Sequence, residues 1–249
     1  MKIACWNLRG FNKPLKQRNA QGFIKKRNLS ILGLLEVKVK EHLVDRMMAT
    51  NFPGLSFIQN FLLSDKILIL LMLNISFVIV DLFEMTDQVI HVNVVCLHSH
   101  RVFVISFVYG LNSVVERRPL WDFLMGRGDS VVLPWKVLGD FNCVLFPHEK
   151  MGGLPIRPCD IVDLRRCISH LELSYVNHVG CFFTWSTLAI SSKLDRVMVN
   201  HHWTQSNLDV FVDFLVSGCL SDHACSVVSI FRDSVCRATP FEFFNMWTI

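Results

Sequence analysis

The chain has 249 residues, 51% of them apolar, and a formal net charge of +4. That leaves room for one large α/β domain or two small ones and excludes a disordered polypeptide. The nine cysteines form no CxxC pair, which argues against a zinc site and for reduced core thiols in a nuclear or cytosolic protein. Charge is uneven. Residues 1–40 carry ten Lys/Arg against Glu36 alone, while the rest holds 15 basic and 20 acidic residues. A basic N-terminal third suits contact with phosphates, although a solvated helix face explains it equally well.

From the N-terminus, Ile3–Asn7 alternates as a strand, so early that no targeting segment fits before it. Leu15–Lys26 sets Leu15, Phe23 and Ile24 among basic residues, as a surface helix does. Ile31–Glu36 reads as a buried strand and Glu41–Ala49 as a short helix. Ile67–Val80 resembles a membrane span, but its 14 residues fall short of the roughly 20 required. Asn74-Ile75-Ser76 interrupts it, so two buried strands, Ile67–Leu73 and Ser76–Leu82, joined by a tight turn are expected. Gln88–Leu97 and Val102–Tyr109 follow as strands, most of this run antiparallel. Then come a helix over Val114–Met125, a strand Trp135–Leu138 ending in Gly139-Asp140, and a helix over Ile161–His170. Further strands are expected at Cys181–Ser186, Leu194–Val199 and Ser226–Phe231. About ten strands and four helices in one domain, 1–231, predict the α/β class with two packed sheets and helices outside. Residues 232–249, aromatic from Phe241 to Trp247, are set apart as a tail or linker.

Polar side chains recur at the ends of these strands: Asn7, Glu36, Tyr109, Asp140 with Asn142, Asp195, and Asp222 with His223. In α/β folds, sites gather at strand ends, where loops converge. The set suits metal-assisted phosphodiester cleavage. A hard divalent ion takes oxygen ligands, the attacking water needs a carboxylate, and the phosphate needs donors. Each motif alone is weak, because GDFN and Ser-Asp-His are ordinary turn material. Together and in this order they point to one site.

The strings CWNLRG (5–10), LGLLEVK (32–38), FVYG (107–110), LGDFN (138–142), FFTWS (182–186), KLDRVMVN (193–200) and SDH (221–223) carry a resemblance. The chain resembles the endonuclease/exonuclease/phosphatase superfamily and, within it, the apurinic-type endonucleases of non-LTR (LINE) retroelements. EKMGG (149–153) and PFEFFNMWT (240–248) resemble plant LINE polyproteins in particular.

The resemblance implies a four-layer α/β sandwich, two mostly antiparallel sheets flanked by helices, with the site at one end. It implies a Mg²⁺-dependent DNA endonuclease, with Mn²⁺ as a substitute ion, that leaves a 3′-hydroxyl nick for target-primed reverse transcription. Glu36 and Asn7 match metal-binding positions, and Asp222 matches an acid linked to the metal. Asp140 matches the residue that orients or deprotonates water, and Asn142 its partner. Tyr109 matches the phosphate-contacting or leaving-group tyrosine. His223 matches the phosphate-binding histidine, and Asp195 the carboxylate paired with it. Thr184 and Trp185 match a segment near the DNA-binding edge, and Arg9 is placed on the DNA-facing side with them; the ordinary reading of Trp185 is a core aromatic. The implied partners are DNA and, in full-length relatives, a downstream reverse transcriptase domain, with no membrane and a nuclear or cytoplasmic location. Two departures stand out: Asn60–Asn74 lacks a Gly-rich, Trp-containing strand, and Ala224-Cys225 replaces Ser/Thr-Pro. Two other readings stay open: the same fold acting on an inositol phosphate or sphingolipid, and a decaying retroelement fragment that at most binds nucleic acid.

Overall fold

The computed structural model describes residues 1–61, 68–206, 208–218 and 220–232. Two sheets face each other. The first has seven strands in the order β11 (His178–Gly180), β15 (Leu208–Leu215), β16 (Cys225–Arg232), β1 (Lys2–Asn7), β2 (Ile31–Leu35), β4 (Ile69–Leu73) and β3 (Ser56–Gln59). The second has six: β10 (Ser174–Tyr175), β14 (Asp195–Val199), β8 (Trp135–Asp140), β7 (Val102–Tyr109), β6 (Val89–Cys96) and β5 (Val78–Met85). A small third sheet joins β12 (Trp185–Ser186), β13 (Ser191–Ser192) and β9 (Lys150–Met151). The helices are α1 (Pro14–Arg27), α2 (Glu41–Asn51), α3 (Arg118–Gly128), α4 (Pro158–His170) and α5 (His201–Gln205).

Alternation along the strands sorts the core into three layers. Ile3, Cys5, Ile31, Leu71, Ile105, Phe107 and Leu138 meet between the two sheets. Ala4, Leu32, Leu34 and Met72 face the other way, toward Ala20 of α1 and Val44, Met47 and Met48 of α2. Val104, Val108 and Val137 pack outward on Leu120, Trp121 and Leu124 of α3 and Leu164 and Cys167 of α4. The result is the expected four-layer α/β sandwich. Strands buried on both faces read as unbroken apolar runs, as ILGLL of β2 does. Each fully buried Ile, Leu or Val contributes about 1.5–3 kcal/mol. Gly33 packs against the facing sheet, and a Cβ there would lie 2.5 Å from the Phe107 ring.

Several expectations need correction. The stretch Ile67–Val80 is two strands, but β4 and β5 lie in different sheets and do not pair. Asn74–Phe77 crosses between sheets, and β5 is an edge strand with Ile79, Leu82 and Phe83 exposed. The helix expected from Val114 begins at Arg118, because Pro119 has no N–H and fits only a first turn. The strand expected over Cys181–Ser186 is reduced to Trp185–Ser186. Strand β15 was not anticipated, although Val210, Val212 and Phe214 alternate inward along it. The last strand runs to Arg232, and residues 233–249, which hold the aromatic tail, lie outside the described residues, as does Ile67.

Register brings the chemistry to one end. Parallel pairing puts Asn7 opposite Leu35, the residue before Glu36, and Tyr109 opposite Asp140. Strand β14 runs antiparallel to β8, so its first residue, Asp195, pairs with Asp140, the last of β8. Strand β16 is antiparallel to β1, and His223 precedes its start.

Candidate active site

The site begins with backbone that ordinary side chains avoid. Arg9, Glu36, Lys38 and Asn142 all hold positive φ, at 46°, 53°, 55° and 45°, a conformation that costs energy outside glycine and persists where surrounding contacts impose it. The contacts are present. Asn7 Oδ1 accepts from Arg9 N at 3.0 Å, Glu36 O accepts from Gly10 N at 2.7 Å, and Asn142 Nδ2 donates to Gly110 O at 2.7 Å. Gly139 has φ 142° just before Asp140, and a Cβ there would strike Val108 O at 2.0 Å.

Asp140 is fully buried at the end of β8. Its Oδ2 accepts from Asn7 Nδ2 at 2.8 Å and its Oδ1 from Asn142 N at 2.9 Å. Across the strand pair, Asp195 Oδ2 lies 3.0 Å from His223 Nδ1, and His223 Nε2 lies 3.7 Å from Asp140 Oδ2. Among the described residues, that buried Nε2 has no hydrogen-bond partner. Buried polar atoms are nearly always paired, so an orphan facing a carboxylate marks a place for a ligand.

Burial opposes charge on His223, but Asp195, then Asp140 and Asp222, outweigh it and raise its pKa to about 9. Burial and the nearby Asp195 raise Asp140 to about 6, against the pull of His223 and the Asn142 and Asn7 donors. Near neutral pH the pair is therefore an imidazolium beside an ionised carboxylate. Burial, then Glu36 and Asp140, push the Tyr109 phenol far above its ordinary range, so it stays a neutral donor.

Glu36 and Asp222 form the outer part of the site. Arg9 reaches both: its Nη1 is 3.2 Å from Asp222 Oδ2 and its Nε 3.7 Å from Glu36 Oε2. Lys38 Nζ holds the other Glu36 oxygen, and Trp185 Nε1 donates to Asp222 Oδ2 at 2.8 Å. Asp222 Oδ1 is buried without a partner among the described residues.

All of Asn7, Glu36, Tyr109, Asp140, Asn142, Asp195, Asp222 and His223 thus gather at one end of the sandwich, with Arg9 and Trp185 at the outer carboxylates. Thr184 is a correction. It is buried, and its Oγ1 accepts from Leu194 N at 3.0 Å and Asp195 N at 2.8 Å, so it positions Asp195 and has no surface with which to meet DNA. Three contributors were missed. Ser221 Oγ donates to Asn7 O at 2.6 Å and accepts from His223 N at 3.1 Å; Trp6 Nε1 donates to His223 O at 3.2 Å; and Lys38 neutralises Glu36. All three stand inside the motif strings, which was the available signal.

The donors fit a hard divalent cation. Asp140, Asp195 and His223 each present a ligand atom within 4.8 Å of the others. The carboxylates of Glu36 and Asp222 add further oxygen donors, and the lone pairs of Asp222 Oδ1 are unused among the described residues.

The chain belongs to the endonuclease/exonuclease/phosphatase family, whose sequence pattern matches residues 4–223. No curated protein matches the chain. Among solved structures it is similar to the endonuclease domain of TRAS1, a telomere-specific non-LTR retrotransposon, with 15% identity over 93% of this chain and 97% of that one and a TM-score of 0.67. An AP endonuclease from Archaeoglobus fulgidus gives 12% identity, 92% and 99% coverage and a TM-score of 0.63. A mannosyl-6-phosphatase from Bacteroides thetaiotaomicron gives 14% identity, 93% and 99% coverage and a TM-score of 0.62. At these identities the likeness is one of fold, and the fold serves both nucleases and a sugar phosphatase.

Proposed function

We propose that this member of the endonuclease/exonuclease/phosphatase family hydrolyses phosphodiester bonds in DNA, as a Mg²⁺-dependent endonuclease in which Mn²⁺ substitutes. The observation that carries the reading is the buried Asp140–His223–Asp195 group, with its unpartnered Nε2, ringed by Asn7, Asn142 and Tyr109. Asp140 accepts the proton of the attacking water, and Asn7 and Asn142 fix its two oxygens. His223 stays protonated through Asp195, and Nε2–H is the donor left for an oxygen of the strained phosphate. Tyr109 offers a neutral hydroxyl to the phosphate or the departing oxygen. We assign the cation to the oxygen donors Glu36, Asn7 and Asp222, where the motif strings place it, because in the inner group Asp195 and His223 are already bonded to each other. When bound, it neutralises charge that develops on the phosphate.

The finer reading follows the motif strings: a nick with a free 3′-hydroxyl, made for a downstream reverse transcriptase domain to extend, in the nucleus or cytoplasm. The retrotransposon endonuclease among the fold's solved relatives supports it. Among the described residues, no helix is long and apolar enough to cross a membrane. The test is conversion of supercoiled plasmid to open circles with Mg²⁺, Mn²⁺ or chelator, followed by extension of the nick with a polymerase. Nicking that needs the ion and leaves extendable ends is expected. Hydrolysis of a sugar or inositol phosphate without nicking would replace this reading with a phosphatase.

A further inference from the structure

Arg9 stands where the two outer carboxylates converge. Its guanidinium lies 3.2 Å from Asp222 Oδ2 and 3.7 Å from Glu36 Oε2. The Arg9 backbone is held at φ 46° with its N–H on Asn7 Oδ1, and its carbonyl accepts from Lys16 Nζ at 3.3 Å. Asp222 is fixed from the other side by Trp185 Nε1 at 2.8 Å. Half of the Arg9 side chain remains exposed, at 47%, so the guanidinium has somewhere to go.

Two carboxylates facing one another repel unless a cation lies between them. Here the chain supplies that cation itself. Lys38 holds Glu36 Oε1, so a divalent ion that takes Glu36 as a ligand meets Arg9 at Oε2, and an ion on Asp222, even through the open Oδ1, repels the guanidinium from Oδ2. We propose that Arg9 is a built-in counter-ion that holds the site together without metal, competes with the metal for Glu36 and Asp222, and on release turns to the substrate phosphate. This rests on the assignment of the cation to those carboxylates. It makes metal and phosphate binding mutually supportive: the ion frees Arg9, and an anion that captures Arg9 clears the carboxylates for the ion. Such coupling is reciprocal by linkage.

The measurement is Mn²⁺ binding to the protein without DNA, by calorimetry or by loss of the free-ion electron spin resonance signal. The parent, Arg9→Gln and Arg9→Lys are compared with and without inorganic phosphate. Removal of a unit charge this close, discounted for its exposure, should tighten Mn²⁺ binding by about tenfold in Arg9→Gln. Arg9→Lys, too short to span both carboxylates, should fall between. Phosphate should tighten Mn²⁺ binding to the parent and leave Arg9→Gln nearly unchanged. Circular dichroism and the metal-free melting temperature show that each variant is folded. Equal or weaker Mn²⁺ binding by folded Arg9→Gln overturns the inference while leaving the nuclease reading intact. Absence of Mn²⁺ binding by all three proteins overturns both the inference and the nuclease reading.

Discussion

Two buried groups of charges meet at the start of β14, where Arg196 of one directly follows Asp195 of the other. In the first, Arg196 donates to both oxygens of Glu149, at 3.0 and 2.6 Å, and to Cys143 O, Lys193 O and the Tyr175 hydroxyl. Glu149 also accepts from Leu145 N and Phe146 N. Only Arg196 Nε lacks a partner. This pair ties the loop after Asn142 to β14 and to the strand β9 region, so it fixes the wall of the site. In the second group, Asp140, Asp195 and His223 leave Nε2 bare and set it 3.7 Å from a carboxylate. The chain spends its hydrogen bonds on the neighbour and withholds one from the site. A satisfied ion pair specifies geometry, whereas an unsatisfied group keeps free energy in reserve for a ligand.

That contrast breaks first in activity. Asp140→Asn and His223→Ala should each lower nicking by about 10²–10⁴-fold, through loss of the base and of the phosphate donor we propose them to be. Asp140→Asn should melt no lower than the parent, because it removes a buried charge that the fold tolerates poorly. Single-turnover nicking alongside thermal melting separates the two effects, and parent-like nicking by either variant would remove these residues from the chemistry.

The neighbour should behave in the opposite way. Arg196→Met strands the Glu149 carboxylate and should cost about 3–5 kcal/mol of stability, whereas Arg196→Met with Glu149→Leu should recover much of it. Denaturant unfolding measures both. Residual nicking should follow the folded fraction. A full loss of nicking in a stable double variant would mean that this pair touches the reaction.

Dependence on pH sharpens the comparison because the signs differ. Nicking should rise as Asp140 ionises, near pH 6, and fall as His223 loses its proton, near pH 9, changing by about tenfold per unit outside those limits. A cation beside Asp140 moves the acid limb lower. His223 is raised in the fold, so its contribution to stability is complete below its unfolded value of 6.5 and is lost as pH climbs through about 9. Asp140 is also raised, so the fold binds its proton better than the unfolded chain does, and stability falls as pH rises from 3.8 to about 6. Glu149 is lowered, although burial opposes this, by its Arg196 hydrogen bond and charge. Its contribution is present above the unfolded value of 4.5 and is lost as pH falls through the lower folded value. Melting of the parent, His223→Gln and Glu149→Gln across pH 4–10 checks each sign. The alkaline loss should vanish in His223→Gln and persist in Glu149→Gln.

The smallest effect should come from Thr184, which touches the active group only through the backbone. Thr184→Val leaves the Leu194 and Asp195 amides without their acceptor, at a cost of about 1–3 kcal/mol. Nicking should fall modestly and recover in Thr184→Ser, which keeps the hydroxyl. A Thr184→Ser variant as weak as Thr184→Val would point to the lost methyl group instead.

Much of this site was legible in the order of residues. Each of Asn7, Glu36, Tyr109, Asp140 and Asp195 stands at the end of an apolar run, and strand ends are where a two-sheet fold places its loops. The runs themselves announced the core: ILGLL and VFVISFVY leave a β-strand no face for water. What the runs did not announce was pairing. Leu73 and Val78 are near neighbours in sequence, yet their strands belong to different sheets, because which edge an apolar strand joins depends on strands far away in the chain. Short strands such as β12 and β13 escaped because two residues carry no periodicity. The division of labour among charges was also invisible. Arg9, Lys38, Thr184 and Arg196 all stand inside the motif strings, and Arg9 and Thr184 were expected together on the DNA-facing side. Only the fold decides that Arg9 bridges two carboxylates, Lys38 holds Glu36, Thr184 accepts from the start of β14 and Arg196 is locked to Glu149. Sequence fixes the kind of each group and its place along a strand. Charge and hydrogen bonding act through space over a few ångströms, so which groups meet, and which atom is left without a partner, was decided by the packing of the two sheets.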